Sequence, residues 1–249
     1  MHCFDWTYAQ IKEELPNIAA AGFSAVQTSP AHPREPVGAA WYMLYQPYDY
    51  KVGENGLGTK EGLTELCAEA HQYGVKIIVD VVANHTNGSL SYVASFWQDK
   101  SLYHDYQGGI DYSNRWQVTH GRLGMWDLKT EDSRVQEKIK EYVAELKSCG
   151  VDGIRWDAAK HIGLPSEGDT FWKNVPDQTM YNYGEILDGT GGDDTVSEKV
   201  EVVSQTTGVQ LHPVAGESSA KAMIYNLQGQ RVDANYHGVV VCNGRKYVQ

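Results

Sequence analysis

The sequence contains no apolar run long enough to cross a membrane. No stretch reaches the roughly 18 consecutive apolar residues that a spanning helix requires. The beginning of the chain carries Asp5, Lys12 and Glu13, where the apolar core of a signal peptide would lie. We therefore expect no membrane-embedded segment, and no export signal is visible in this chain.

Basic residues are also in short supply. The 249 residues include 21 lysines and arginines against 32 aspartates and glutamates, which gives a formal net charge of -11. This charge has the wrong sign for clamping a phosphate backbone, so nucleic acid is not an expected partner. Hydrophobic residues make up 41% of the chain, which is enough at this length to bury one sizeable core.

Cysteine and phenylalanine are rare as well, at four residues each. Cys3, Cys67, Cys149 and Cys242 form no CxxC pair, which argues against a zinc ribbon or a dithiol redox centre. We expect buried free thiols, although the sequence leaves disulfides open. The 16 tyrosines and 7 tryptophans carry rings that can stack on a ligand and still hydrogen-bond, or that can equally fill the core and the loops.

Three segments repeat the same order of features: an amphipathic helix, a glycine that ends it, and an apolar strand. The glycines are Gly22, Gly74 and Gly150. Apolar residues at helical spacing precede each glycine, and strands are predicted after them at 23–28, 75–82 and 151–157. Apolar strands that alternate with helices of this length predict a parallel α/β sheet with both faces covered.

Two connections are far longer than the usual link between a strand and a helix. Residues 30–58 and 84–131 are rich in aromatic residues, among them Trp41, Tyr45, Trp97 and Trp116. We expect both to lie as ordered loops over the carboxyl edge of the sheet. Parallel barrels and open sheets keep their active sites at that edge.

The alternation of strands and helices stops after Asp188. Residues 189–219 read as a linker that is turn-rich at its start, with weak strand candidates at 200–203 and 209–211. Residues 220–249 are predicted to form a short β-module with a hairpin at Asn243-Gly244. The expected organisation is thus a catalytic α/β domain at 1–188, the linker and the β-module.

Acidic residues stand at the carboxyl ends of three predicted strands: Asp80, Asp157 and Glu185. Each one alone could equally be a helix N-cap. Arg155 lies two residues before Asp157 on the same strand, so it shares a face with that carboxylate and can hold it ionised. Two carboxylates at one sheet edge suit glycoside hydrolysis, in which one is an ionised nucleophile and the other a protonated acid.

Three motifs carry a family resemblance. Asp80-Val-Val-Ala-Asn-His85, Gly153-Ile-Arg-Trp-Asp-Ala-Ala-Lys-His161 and Gly184-Glu185 resemble, in order, the first three signature regions of the α-amylase family, glycoside hydrolase family 13. Segments around Trp41 and Asp127 are also similar to α-amylases, so the resemblance extends from His2 to about Asp188. It implies a partial TIM (β/α)8 barrel of about five βα units, followed by the small C-terminal β segment.

The resemblance also implies roles for individual residues. Asp157 would be the nucleophile of a retaining hydrolase of α-1,4-linked glucans, and Glu185 the acid that protonates the leaving oxygen and then activates water. Arg155 would position Asp157. The other residues implied in substrate binding are Trp41, Tyr45, Gln46, His85, Lys160 and His161. For Lys160 and His161 the alternatives are a surface lysine and a loop histidine satisfied by the main chain.

Three positions match those that hold a structural calcium ion in this family: Asn84, Asp127 and the main-chain carbonyl of His161. Oxygen ligands suit Ca²⁺, which binds six to eight of them, whereas Zn²⁺ favours cysteine or histidine. The alternative is that Asn84 and Asp127 cap turns without a metal.

The fourth signature region of the family, which supplies a third carboxylate, has no match in the sequence. Losing one group that stabilises the transition state commonly costs about 10²–10³-fold in rate, so we expect reduced hydrolysis. The alternatives are a non-catalytic α-glucan-binding protein and an inactive amylase fragment. Two copies could also pair as a homodimer through the open edges of the barrel.

The segment from Lys221 to the end of the chain resembles the short C-terminal β-module of exported enzymes from Bacteroidetes-type bacteria. Together with the family resemblance, this module implies an extracellular or periplasmic location and an α-glucan as the binding partner.

Overall fold

The computed structural model describes residues 1–34, 40–53, 55–106 and 108–186 with their side chains, together with the main chain of four strands between residues 224 and 248.

The described residues contain one five-stranded parallel sheet. In chain order its strands are β1 (His2–Cys3), β2 (Ala25–Thr28), β3 (Lys76–Val82), β6 (Gly153–Asp157) and β7 (Tyr181–Gly184). Each strand pairs in parallel with the one before it. The predicted parallel sheet is therefore confirmed, and its three predicted strands begin one or two residues later than the sequence indicated.

Three long helices and two short ones accompany the sheet. The long helices are α1 (Tyr8–Ala20), α2 (Lys60–Gln72) and α4 (Ser133–Ser148), and the short ones are α3 (Arg115–His120) and α5 (Phe171–Asn174). Each long helix begins after a residue whose side chain accepts a main-chain N–H: Thr7, Thr59 and Asp132. Gly22 and Gly74 have φ angles of 83° and 69°, which favour glycine, so they end α1 and α2 as predicted.

Alternation along the strands gives the sheet two different faces. One face is apolar: Val26, Val79 and Ile154 are fully buried and share a hydrophobic core with Leu15 of α1 and Leu66 of α2. Burial of this face against the helices supplies the main stabilisation of the domain.

The opposite face, which we call the inner face, carries polar side chains. Asp80 of β3 lies beside Arg155 of β6, and Arg155 lies beside Tyr183 of β7. Gln27 of β2 reaches the same layer through its hydrogen bond to Asp80. The strand register thus places four polar side chains from four strands in one layer below the carboxyl edge.

The described part of the long connection 84–131 is ordered around its own buried rings, as predicted. Trp97 and Tyr103 are buried, and Tyr103 forms an isolated bridge with Leu128. Two short antiparallel strands, β4 (His85–Thr86) and β5 (Trp126–Asp127), tie the two ends of the connection together. This pairing brings Asp127 next to the end of β3.

The C-terminal strands form a separate antiparallel sheet. They are β8 (Ile224–Asn226), β9 (Arg231–Val232), β10 (Val239–Cys242) and β11 (Arg245–Val248), in the order β11-β10-β8-β9. Cys242 lies opposite Arg245, the register expected for a hairpin at Asn243-Gly244. The linker at 189–219, with its two strand candidates, lies outside the described residues, and the domain boundaries stay predictions.

Cys3, Cys67 and Cys149 are buried free thiols, as predicted, while the side chain of Cys242 lies outside the described residues. In the part of the chain that the structure describes, no helix combines the length and the apolar composition needed to span a membrane.

Candidate active site

A cleft of about 560 Å³ opens where the parallel strands end. The two long connections and the ends of β6 and β7 line it. It contains every residue that the resemblance assigned to catalysis or substrate binding, namely Trp41, Tyr45, Gln46, His85, Arg155, Asp157, Lys160, His161 and Glu185. The structure thus brings together residues that the sequence distributes over most of the α/β domain.

Arg155 contacts three carboxylates at the floor of this cleft. Its Nη1 lies 2.8 Å from Asp157 Oδ1 and 3.2 Å from Asp80 Oδ2, and its Nη2 forms an ion pair with Glu185 Oε1. Only 12% of the arginine side chain is exposed. Solvent therefore screens these contacts little, and the attraction between the charges is strong. Hydrogen bonding by the one guanidinium orients all three acids.

The Asp157 carboxyl is electrostatically perturbed. Burial raises its pKa to about 6, Arg155 opposes this increase, and the charge of the nearby Glu185 reinforces it. Arg155 holds Asp157 through Nη1 and Glu185 through Nη2, so the two carboxyls lie close together. At neutral pH Asp157 is predominantly ionised.

Glu185 is placed by the end of β7. Its main-chain N–H donates to Trp156 O over 2.8 Å, and its Oε2 accepts from the Ala158 main-chain N–H over 3.2 Å. The preceding Gly184 allows a close approach, since a Cβ atom there would lie 2.7 Å from the Cβ of Ala159. Close packing between β7 and the segment after β6 therefore aims the Glu185 side chain into the cleft.

Asp80 lies beneath the two cleft carboxylates and is fully buried. It accepts hydrogen bonds from Gln27 Nε2 and from the Tyr45 hydroxyl, each over 2.7 Å, in addition to its contact with Arg155. Burial raises the pKa of Asp80 to about 7, although Arg155 and Tyr45 oppose the increase. The sequence identified Asp80 only as an acid at a strand end, because its contacts follow from strand register.

Aromatic rings form one wall of the cleft. Tyr45 stacks on Phe4 with ring centroids 6.3 Å apart, and Trp41 packs edge-on against Tyr45. His85 Nε2 donates to the Tyr45 main-chain oxygen over 3.0 Å, and burial lowers the pKa of His85 to about 4, so this histidine is neutral. Trp41 and Tyr42 remain 56% and 48% exposed, which leaves ring faces open to a ligand.

The opposite wall is the segment that follows β6. Lys160 is buried, and its ammonium lies 4.7 Å from the Tyr112 ring centroid. His161 is buried too, with its Nδ1 donating to Val118 O over 2.8 Å. Arg115 braces the segment by donating to the main-chain oxygens of Lys160 and Ile162. The surface-lysine alternative for Lys160 is therefore wrong, because the side chain is buried at the cleft.

The sequence analysis assigned no role to seven further lining residues: His2, Phe4, Tyr42, Tyr112, Leu123, Met125 and Ala158. Phe4 follows β1 directly, so its position at a strand end was the one available signal. Tyr42, Tyr112, Leu123 and Met125 lie in the two long connections, where no sequence pattern distinguishes individual lining residues.

The expected calcium ligands Asn84 and Asp127 also meet. Asn84 Nδ2 donates to Asp127 Oδ1 over 3.0 Å, and His104 Nδ1 donates to Asp127 Oδ2 over 2.6 Å. Asn84 Oδ1 is buried without a hydrogen-bond partner among the described residues, which is costly for a polar atom. An amide oxygen of this kind is a typical Ca²⁺ ligand, so the donor set is compatible with that ion.

Several solved structures with similar folds are alpha-amylases. Alpha-amylase I from Eisenia fetida, in complex with maltohexaose, aligns with a TM-score of 0.70 at 22% identity, covering 80% of this chain and 47% of that one. The alpha-amylase from Malbranchea cinnamomea aligns with a TM-score of 0.63 at 30% identity, covering 74% and 41%. The alpha-amylase from Geobacillus thermoleovorans, complexed with acarbose, gives 0.60 at 27% identity, covering 73% and 40%. The five parallel strands are therefore part of a (β/α)8 barrel.

Sequence comparisons agree with the fold. An alpha-amylase of Clostridium acetobutylicum is 40% identical over 208 residues, covering 75% of this chain and 27% of the relative. One from Butyrivibrio fibrisolvens is 31% identical over 231 residues, covering 76% and 24%. This chain thus spans about a quarter of the length of these curated relatives. The family model of the alpha-amylase catalytic domain matches residues 7–238. The chain therefore belongs to the alpha-amylase family, as its motifs indicated.

Proposed function

We propose that this chain is an α-amylase-type retaining glycoside hydrolase that acts on α-1,4-linked glucans. The supporting observation is that Asp157 and Glu185 contact the two terminal nitrogens of one guanidinium in the cleft. Retaining glycosidases keep their two carboxyls about 5–5.5 Å apart, whereas inverting ones leave about 6.5–9.5 Å for a water molecule. Two carboxyls held on the two terminal nitrogens of one guanidinium fit the shorter separation, which favours the retaining class.

In the proposed reaction, ionised Asp157 attacks the anomeric carbon while protonated Glu185 gives its proton to the leaving oxygen. The glycosidic bond breaks, and an ester forms between the sugar and Asp157. Glu185 then takes a proton from water, whose oxygen attacks the anomeric carbon and releases Asp157. Arg155 keeps both carboxyls in place throughout.

An α-glucan is the proposed substrate and binding partner. Maltohexaose and acarbose are bound in two of the similar structures. In this chain, open faces of Trp41 and Tyr42 can stack on sugar rings, while His85, Gln46 and Lys160 offer polar groups in the same cleft.

We also propose a structural calcium ion held by Asn84, Asp127 and the main-chain carbonyl of His161. The unpartnered Oδ1 of Asn84 supports this proposal. The ion would neutralise charge and link the end of β3, strand β5 and the segment after β6. It takes no part in the bond-breaking step.

We propose further that hydrolysis by this chain is slow. Asp157 and Glu185 are the two acidic residues among the described residues that line the cleft, so the third carboxylate expected of the family is not among them. A loss of about 10²–10³-fold would follow from one missing stabilising group. The open ring faces of Trp41 and Tyr42 favour α-glucan binding without turnover as the second candidate function.

A starch assay on the wild type, Asp157→Ala and Glu185→Gln, each with and without a calcium chelator, tests these proposals. We expect a wild-type rate above both variants and a fall on chelation. Equal rates in all three proteins would refute the catalytic assignment. Retention on starch without release of reducing sugar, unchanged by Asp157→Asn, would instead establish the binding function.

Two remaining proposals concern assembly and location. Among the described strands, β1 and β7 are at the edges of the parallel sheet, and two copies could pair through these edges. Light scattering coupled to size exclusion tests this pairing, and a folded monomer would refute it. An extracellular or periplasmic location is tested by fractionating the native host.

A further inference from the structure

Gln27 and Tyr183 form a hydrogen bond between strands that are not neighbours. The Tyr183 hydroxyl on β7 lies 2.6 Å from Gln27 Oε1 on β2, although β3 and β6 separate these strands in the sheet. Such a contact can form only if the inner face curves enough to bring β2 and β7 together. The bond therefore spans the interior of the partial barrel.

This contact also fixes which way the Gln27 amide points. Its oxygen accepts from Tyr183, so its nitrogen is turned to Asp80 Oδ1, to which it donates over 2.7 Å. The other oxygen of Asp80 is left for the Tyr45 hydroxyl and for Arg155. Each group in this series has one donor–acceptor arrangement that satisfies it.

These contacts lead from Tyr183 and Gln27 through Asp80 and Arg155 to the two carboxyls proposed to react. Arg155 reaches Asp80 and Asp157 with the same Nη1 and holds Glu185 with Nη2. A rotation of the Asp80 carboxylate would therefore alter the position of the guanidinium and of both carboxyls. Gln27 and Tyr183 do not line the cleft, so they act through other residues.

We propose that Gln27 and Tyr183 are positioning residues for the reaction. They clamp Asp80 in one orientation, and through Asp80 and Arg155 they keep Asp157 and Glu185 adjacent in a sheet that has only five described strands. This inference rests on the proposed function, but the positioning itself can be measured without turnover.

The test compares Gln27→Met, which removes both hydrogen bonds at similar side-chain length, with Tyr183→Phe, which removes one. Tyr181→Phe is the matched control. Tyr181 lies on the same strand with its ring 5.5 Å from Tyr183, is 49% exposed, and has no side-chain hydrogen bond within the described ranges. Circular dichroism and the melting temperature identify any variant that does not fold.

The first readout is the titration of Asp80, followed by carbon NMR of labelled aspartate carboxyls. The groups that face Asp80 are Tyr45, Arg155, Asp157 and Tyr183. Because the Gln27 hydrogen bond lowers the pKa of Asp80, its loss should raise the titration midpoint in Gln27→Met and, less strongly, in Tyr183→Phe. Wild-type midpoints in both variants would overturn the proposal.

The second readout is steady-state kinetics on a maltooligosaccharide. Loss of one hydrogen bond should lower kcat about three- to tenfold in Tyr183→Phe while KM changes little, and Tyr181→Phe should match the wild type. In Gln27→Glu the new carboxyl can replace the amide only when protonated, so the ratio of its kcat to the wild-type kcat at the same pH should recover towards acid pH. A pH-independent loss in Gln27→Glu would point to a merely structural role and overturn the proposal.

The two readouts separate this inference from the proposed function. A wild type without hydrolysis whose Asp80 midpoint still moves in Gln27→Met would refute the function and retain the positioning. If the wild type is active but the variants keep its Asp80 midpoint and its kcat, the positioning is refuted and the function is retained.

Discussion

At the scale of single residues, the cleft holds carboxylates in surroundings that lower the stability of the fold at neutral pH. Asp80 is fully buried and Asp157 is partly buried beside one shared cation, and burial raises the pKa of both carboxyls. The sequence could identify Asp157, Glu185 and Arg155, because the chemistry requires these residue types at strand ends. It could not show that Asp80 is hydrogen-bonded by Gln27 and Tyr45, since that depends on which side chains the sheet register brings together.

Asp157→Asn should stabilise the fold at neutral pH. The folded-state pKa of Asp157 is about 6 against an ordinary 3.8, so the folded state binds the proton more tightly and loses that advantage as the pH rises through 4 to 6. Removing the charge should raise the free energy of unfolding at pH 7 by roughly 1–3 kcal/mol, with little effect near pH 4. Urea unfolding at both pH values measures this difference.

Asp152→Asn is the control, because it should change the free energy of unfolding at pH 7 in the opposite direction. Burial alone would raise the pKa of Asp152, but hydrogen bonds from His71, the Ile77 main chain and Lys76 outweigh it and leave the pKa below the ordinary value. The stabilisation is therefore present at neutral pH and is lost as the pH falls through the folded-state pKa. Asp152→Asn should lower stability at pH 7. A stabilised Asp152→Asn would contradict this electrostatic interpretation.

The acid limb of hydrolysis should reflect the ionisation of Asp157. Because the nucleophile must be ionised and its pKa is about 6, kcat/KM should fall about tenfold per pH unit below pH 6. A stopped assay on a maltooligosaccharide between pH 4 and pH 8 measures the limb. A midpoint near the ordinary value of 3.8 would show that burial does not control this carboxyl.

At the scale of elements, the sequence predicted the three long helices and the parallel strands that follow them, but not strand β1, the short helices α3 and α5, or the strand pairing within the long connection. Capping residues such as Thr59 and terminating glycines such as Gly74 act locally, so their effect can be predicted from short segments. The pairing of β4 with β5 joins distant parts of one connection through two-residue strands. No periodicity develops over two residues, so no sequence pattern could have indicated it.

Gly184→Ala tests the close packing of β7 against the segment after β6. The added Cβ would lie 2.7 Å from the Ala159 Cβ, so one of the two segments must shift. We expect a loss of roughly 1–3 kcal/mol in stability and a fall in kcat as Glu185 moves. Thermal unfolding and a starch assay measure these effects.

The matched variant is the double substitution Gly184→Ala with Ala159→Gly, which restores the space. It should recover most of the lost stability and rate. If the double variant is as impaired as Gly184→Ala alone, contact with Ala159 is not the cause.

At the scale of the whole molecule, this chain is a partial barrel of the alpha-amylase family. It has five described parallel strands and spans about a quarter of the length of two curated relatives. Both observations agree with the sequence, in which the fourth signature region was not found. The sequence could predict this because family motifs are local. It could not predict the contact between Gln27 and Tyr183, because that contact joins strands that are not neighbours in the sheet.

Removal of calcium should lower the stability of the fold, because Asn84 and Asp127 are the proposed ligands of the ion. A chelator should lower the melting temperature of the wild type by several degrees, in line with about 1–2 kcal/mol of linked stability. Asn84→Leu, which removes the unpartnered oxygen, should melt at the same temperature with and without chelator. A wild type indifferent to chelation would refute the calcium site.

The most direct test of the proposed mechanism is to trap its covalent intermediate. A fluorinated α-glucosyl fluoride has a leaving group that needs no acid, so Glu185→Gln should still form the ester but release it slowly. Mass spectrometry of digested protein should locate the sugar on the peptide that contains Asp157, and Asp157→Asn should carry none. Starch hydrolysis by the wild type with inverted anomeric product, or a label on any other residue, would contradict the assignment of Asp157 as the nucleophile.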